Sequence, residues 1–293
     1  MTSNGRLSFG IKTGPHRGTW DDLRRIWQEA DEIPLVEHLW AFDHFVPLGP
    51  DPTGPCLEGW SLLAGLAALT TRARVGLMVT SNTYRHPAVL ANIAATVDII
   101  SNGRLELGIG AGWHEGEHAM YGIPLGTAAR RIRALGEACQ ILKALWTNTE
   151  TDFAGRYYTL VAARCEPKPV QKPHPPIVIG GTGETLTLRV VARHADRWNF
   201  NGDTPAEFAR LSGVLDEHCR AVGRDPAQIT RSLQWHVDAA DPGPAVEELR
   251  PFIAAGITHI VLNPRGRLKP GLATALTRKV IEPLAAASRT SSS

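Results

Sequence analysis

The sequence predicts a (β/α)8 TIM barrel, a closed ring of eight parallel strands each followed by a helix, with an insertion after the fourth unit. Three observations lead there. Short apolar runs alternate with longer amphipathic segments about eight times along the chain. Its 293 residues suffice for such a barrel, which takes about 250. No long linker divides the chain, and alternating strand and helix patterns imply a parallel sheet.

The elements follow in order. LSFGI (7–11) reads as a buried strand. TWDDLRRIWQEADE opens with Thr19 as N-cap and sets Leu23, Ile26, Trp27 and Ala30 on one helical face. HLWAF (38–42) is the second strand, followed by a Pro/Gly-rich loop over 43–59 and a helix over 60–69. The strand RVGLMVT (74–80), a helix over 87–100 and the strand LELGI (105–109) come next. A glycine-rich turn then precedes a long helix over 128–146. Residues 148–176 break the rhythm, with a hairpin around FAGRYYTL and the Pro-rich CEPKPVQKPHPP. Alternation resumes with IVIGG, a helix over 184–194, RWNF, a helix over 205–222, SLQWHV, a helix over 245–255, HIVL and a final helix over 272–287. The expected organisation is one domain over 1–288, an insertion over 148–176 and a disordered tail over 289–293.

Composition narrows the function. The formal net charge is +2, with both signs scattered, which argues against nucleic acid or a membrane surface as partner. The four cysteines form no C-x-x-C and read as reduced thiols. The N-terminus lacks an apolar signal core, and WSLLAGLAALTT falls short of the roughly 20 residues of a membrane helix. A cytoplasmic location is expected.

In such a barrel, chemistry gathers where strands end. Asp43 and His44 follow the second strand; Thr80, Ser81 and Asn82 the third; Gly110, Gly112 and Trp113 the fourth; Gly180, Gly181, Thr182 and Gly183 the fifth; Asn199 and Asn201 the sixth. GGTGET leads into a helix, so converging N–H groups and a helix N-terminus would cradle a phosphate; a tight corner would need the same glycines. GIGAGW lacks the last glycine of the dinucleotide fingerprint. It would admit a flat ring against the backbone, or serve close helix–strand packing. His44 is a candidate proton carrier, since imidazole changes charge near neutral pH. Arg85 and His86 read as helix-capping residues. His114 to His118 spell H-E-G-E-H, the zinc-peptidase pattern, but Gly116 at its centre and no spaced third ligand make it a coincidence in a loop or helix start.

FDHFVP, GPCLEGWSLLAGLAALT, the run from Val79 to Pro124, CEPKPVQKPHPPIVIGG and VLDEHCRAVGRDPAQI together resemble the bacterial luciferase-like superfamily, in particular its probable coenzyme F420-dependent oxidoreductases of actinobacterial type. The resemblance implies a barrel holding a flavin or deazaflavin at the strand ends, in a homodimer. It places a non-prolyl cis peptide at Met78-Val79 behind the ring. Cofactor contacts are implied at Asp43, Met78, Val79, Thr80, Asn82, Gly110, Gly112, Trp113 and the Gly180, Gly181, Thr182, Gly183 turn, and proton transfer at His44. Sugar-phosphate dehydrogenase relatives carry a glutamate where this chain has Trp113, which points to a more apolar substrate or to reduction of an unsaturated one. The expected activity is hydride transfer between F420 and a small organic molecule. FMN-dependent monooxygenation is the alternative, and a non-catalytic flavin carrier and a zinc hydrolase rank below it.

Overall fold

A continuous buried run builds the first strand, and a capped amphipathic stretch builds the first helix. In the computed structural model, which describes residues 6–16 and 18–290, β1 (Ser8–Lys12) precedes α1 (Trp20–Asp31). The Thr19 hydroxyl accepts from Asp22 N, and Leu23, Ile26, Trp27 and Ala30 are all buried, as their spacing predicts. The chain continues through β2 (Val36–Ala41), α2 (Gly59–Ala68), β3 (Arg74–Leu77), β4 (Thr80–Ser81), α3 (Pro87–Ile100) and β5 (Leu105–Gly110). A short α4 (Glu115–Met120) and the long α5 (Ala128–Thr147) follow. The insertion holds an antiparallel hairpin, β6 (Thr151–Ala154) and β7 (Thr159–Ala163).

The second half runs β8 (Ile177–Gly180), α6 (Thr187–His194), β9 (Arg197–Phe200), α7 (Pro205–Ala221), β10 (Thr230–Asp238), α8 (Ala245–Ala254) and β11 (His259–Arg265). The expected final helix is a continuous helical run with α9 (Leu272–Leu276), a π-helical turn Thr277–Ile281, and α10 (Glu282–Thr290). It therefore enters the stretch expected to be a tail, whose last residues, 291–293, lie outside the described residues.

Parallel pairing closes the ring. The hydrogen-bonded order is β3-β2-β1-β11-β10-β9-β8-β5-β4, and β3 also pairs β5. β3 and β4 are two pieces of one barrel strand, separated at the cis Met78-Val79 peptide, so eight barrel positions result. Large apolar side chains between strands and helices form the main core. A second cluster of Trp40, Met78, Val178 and Val261, with Val79 beside it, fills the barrel itself. The Trp40 ring occupies space that no side chain at position 76 leaves free: a Cβ on Gly76 would lie 2.5 Å from it and 2.4 Å from the Glu106 carbonyl.

Below this plug, at the N-terminal ends of the strands, Glu106 is buried against Arg74 (2.6 Å), Arg197 (3.2 Å) and His38 (3.3 Å). Burial opposes its charge, but Arg197, His38 and Arg74 hold its carboxyl well below the ordinary value. That end of a barrel carries stability rather than chemistry. Above the plug the strand ends open into a cleft.

Candidate active site

A cleft of about 1310 Å³ occupies the C-terminal mouth of the barrel, and residues from β1, β2, β4, β5, β8, β9, β10 and β11 or the turns after them line it. Its best-built part follows β2. Asp43 is 1% exposed and takes both Arg85 guanidinium nitrogens, at 2.5 and 3.2 Å, while the Thr80 hydroxyl donates to the same carboxylate. Burial pushes the Asp43 carboxyl above its ordinary value, against the pull of Arg85. Arg85 also reaches Glu58 at 2.5 Å, and Glu58 caps α2 by accepting from Trp60 N and Ser61 N. Arg85 is thus the partly buried counter-ion of Asp43; the capping of α3 falls to His86 alone.

His44 lines the cleft one residue further on. Its Nδ1 lies 2.7 Å from Glu117 Oε2. A carboxylate only accepts, so Nδ1 carries the hydrogen and Nε2 is the basic nitrogen. Glu117 is fully buried and also accepts from the Phe45 N–H, the Val46 N–H at 3.2 Å and the Tyr84 hydroxyl. Burial opposes its ionisation, yet the bonds from His44, Tyr84 and Phe45 hold its pKa down to about 2. Glu117 is the second glutamate of H-E-G-E-H. The zinc reading treats that motif as a local pattern, whereas its glutamate partners a histidine 73 residues away.

The two histidines of the motif are engaged in building the loop. His114 N-caps α4 through Nδ1, which accepts from Glu117 N at 3.0 Å. His118 Nδ1 donates to the His114 carbonyl, which leaves Nε2 to accept from Thr83 Oγ1 at 2.6 Å, and Thr83 in turn bonds Ser81 Oγ at 2.7 Å. Among the described residues no group of three His, Cys, Asp or Glu could hold a metal ion. Gly112 packs onto this chain with φ +83°, and a Cβ there would stand 2.4 Å from Ser81 Oγ. Gly108 and Gly110 likewise face Leu77 and Val79, so this turn serves close packing against the third barrel strand. Trp113 points outward, 62% exposed, with its ring 5.8 Å from that of His44.

The fifth strand ends differently from expectation. Gly180 to Gly183 turn above the cleft, but the helix begins at Thr187 rather than at Glu184, because residues 184–186 form a separate turn. Leu186, the N-cap of α6, supplies no side-chain bond. Gly180, Gly181 and Asn199 line the cleft beside Val79, and Asn201 lies at its rim. Asn82 links the insertion to the site: its Nδ2 donates to the Tyr158 hydroxyl at 3.0 Å. Its buried Oδ1 has no protein partner. Sequence reasoning missed Glu117, Arg85 in its pairing role, Tyr84 and Lys12, which also lines the cleft.

Residues 2–287 match the luciferase-like monooxygenase family. The chain belongs to that family. Among its relatives, the F420-dependent glucose-6-phosphate dehydrogenase of Amycolatopsis mediterranei is 32% identical, over 96% of this chain and 99% of that protein. The pyrimidine monooxygenase RutA of Methylobacterium radiotolerans is 38% identical over 175 residues, 57% of this chain and 44% of its own length. The structure of an F420-dependent secondary alcohol dehydrogenase, solved with an F420–acetone adduct, superposes with a TM-score of 0.82 at 18% identity, covering 96% of this chain and 99% of that one. The luciferase-like family barrel is therefore the fold of this chain, and its activity is that of a flavin- or deazaflavin-dependent oxidoreductase.

Proposed function

We propose that this chain transfers a hydride between coenzyme F420 and a small organic substrate, with His44 moving the accompanying proton. The observation that carries this reading is the breadth of the similarity: the F420-dependent relative is matched over nearly its whole length, the pyrimidine monooxygenase over less than half. Two features of the cleft fit a cofactor with a flat ring and a phosphate. Its volume of about 1310 Å³ exceeds that of typical small-molecule pockets. Gly180, Gly181 and Thr187, at the turn after β8 and the start of α6, line it, and a helix start without a side-chain cap suits an anion.

Thr80, Val79, Gly180 and Gly181 line the cleft and would hold the ring, with Asp43 fixed beside them by Arg85 and Thr80. Bound F420 supplies a hydride acceptor or donor carbon. Glu117 keeps the Nδ1 hydrogen of His44 in place, so that Nε2 takes or returns a proton at the substrate. Trp113 would wall the substrate side, which excludes the carboxylate chemistry expected of a glutamate there. We further propose a homodimer, as the family resemblance implies, and a cytoplasmic location, as read from the sequence.

Fluorescence titration of the apo-protein with F420 and, separately, FMN tests the reading. Tight F420 binding with weak FMN binding is the expected result. A preference for FMN moves the activity to monooxygenation.

A further inference from the structure

Around the cleft mouth, the residues assigned above to the cofactor come from barrel strands two to five. The remaining arc, from β1, β9, β10 and β11 and the turns after them, has a different chemistry. Lys12, Gln234, His236, Asn199, Asn263 and Arg265 face the cleft there, and no aspartate or glutamate lines this arc. At its base, Lys12 is only 7% exposed. Its Nζ donates to Gln234 Oε1 at 2.5 Å and lies 5.3 Å from the centre of the Phe42 ring. Among the described residues it has no carboxylate partner. An ammonium group buried with one amide and one ring face lacks the counter-charge that buried cations require. A ligand anion entering the cleft would supply it.

We propose that Lys12 anchors a carboxylate of the substrate, so that the organic molecule reduced or oxidised in this cleft is an organic acid. This rests on the hydride-transfer reading for the cofactor but not for the anion itself. Gln234 and the Phe42 face hold the lysine in place, and Asn199 and Asn263 offer amide hydrogens to the same arc. The remaining titratable or charged groups lining the cleft are His16, Asp43, His44, Tyr84, Arg131, His236, Arg265 and Arg267. Asp43 is paired with Arg85 and His44 with Glu117. Burial lowers the Lys12 pKa to about 7, so an anion that binds above that pH must recruit a proton to the lysine. Burial also lowers His236, which is neutral in that range.

Calorimetric titration of the apo-protein with benzoate and with benzamide, its neutral isostere, tests this. Wild type should bind benzoate and discriminate against benzamide. Lys12→Met should lose at least about 30-fold in benzoate affinity, as expected for deleting one partner of a buried charge pair. Lys12→Arg should retain binding. Above pH 7 the wild-type affinity should fall about tenfold per pH unit, and that of Lys12→Arg should stay flat. Equal binding of benzoate and benzamide, or undiminished benzoate binding by Lys12→Met, overturns the proposal. Repeating the titration with saturating F420 separates substrate from cofactor carboxylates. Simultaneous binding supports a substrate site, and mutual exclusion overturns it. If F420 fails to bind at all, the cofactor reading falls while the benzoate comparison still decides the anion site.

Discussion

Replacing Glu117 by glutamine leaves shape almost unchanged and removes one charge. In the wild type, one carboxylate oxygen accepts from the Phe45 and Val46 N–H groups and the other from His44 Nδ1 and the Tyr84 hydroxyl. A glutamine amide turns one of those acceptors into a donor, so two of the four hydrogens lose their partner. The size of the loss follows from linkage. A carboxyl held from its ordinary 4.5 down to about 2 stabilises the fold by about 3 kcal/mol, at 1.36 kcal/mol per pH unit. Because the folded value is the lower one, this stabilisation is fully present above pH 4.5 and disappears as pH falls toward 2.

Urea unfolding of both proteins across pH 7 to 3 measures it. Glu117→Gln should be less stable by about 3 kcal/mol at pH 7. Below pH 4.5 the gap should close by roughly 1.4 kcal/mol per pH unit, because the wild type alone takes up the proton. A gap of less than about 0.5 kcal/mol at pH 7, typical of surface changes, or one that stays constant down to pH 3, refutes the role given to Glu117. Nitrogen chemical shifts of the His44 ring give a second reading, since the Nδ1–H form should dominate only while the carboxylate faces it.

Two further outcomes are expected. Gly112→Ala adds a Cβ 2.4 Å from Ser81 Oγ at a φ of +83°, so it should lower stability by about 1–3 kcal/mol in denaturant titration and weaken F420 binding by displacing the Ser81–Thr83–His118 chain. Lys12→Met should stabilise the ligand-free fold: the lysine's folded pKa of about 7 lies below its ordinary 10.5, so its cost is full below pH 7 and fades toward pH 10.5. Thermal midpoints should favour the methionine variant most at pH 6 and least near pH 10, and a pH-independent difference would sink this account.

The barrel was legible because its signals are local. Thr19, the Leu23–Ile26–Trp27–Ala30 face and the Pro87–Ile100 helix each depend on residues within a few turns of one another. The strand ends were legible for the same reason: Asp43, His44, Thr80, Gly110, Gly180 and Asn199 line the cleft, whereas Asn82, Thr182 and Gly183 are not among its lining residues. What escaped was pairing across the ring. His44 is visible in FDHF, but nothing near it in sequence announces Glu117, and Glu117 itself sat inside a motif that invites a metal reading. Arg85 looked like a capping residue because the adjacent His86 is one. Lys12 was invisible, since a lysine closing a strand is ordinarily solvated; only closure of the ring brings it to Gln234. In the GGTGET turn, glycine spacing shows the turn, but the helix start depends on backbone conformation at residues 184–186.

The contact between Trp40 and the bare backbone at Gly76 has an evolutionary consequence. Two neighbours close the space at position 76 at once: the indole, which a smaller residue at 40 would withdraw, and the Glu106 carbonyl, which no change at 40 moves. Shrinking position 40 therefore leaves a hole that a side chain at 76 cannot fill. Lineages that vary position 40 should accordingly keep glycine at 76 and fill the hole from another strand.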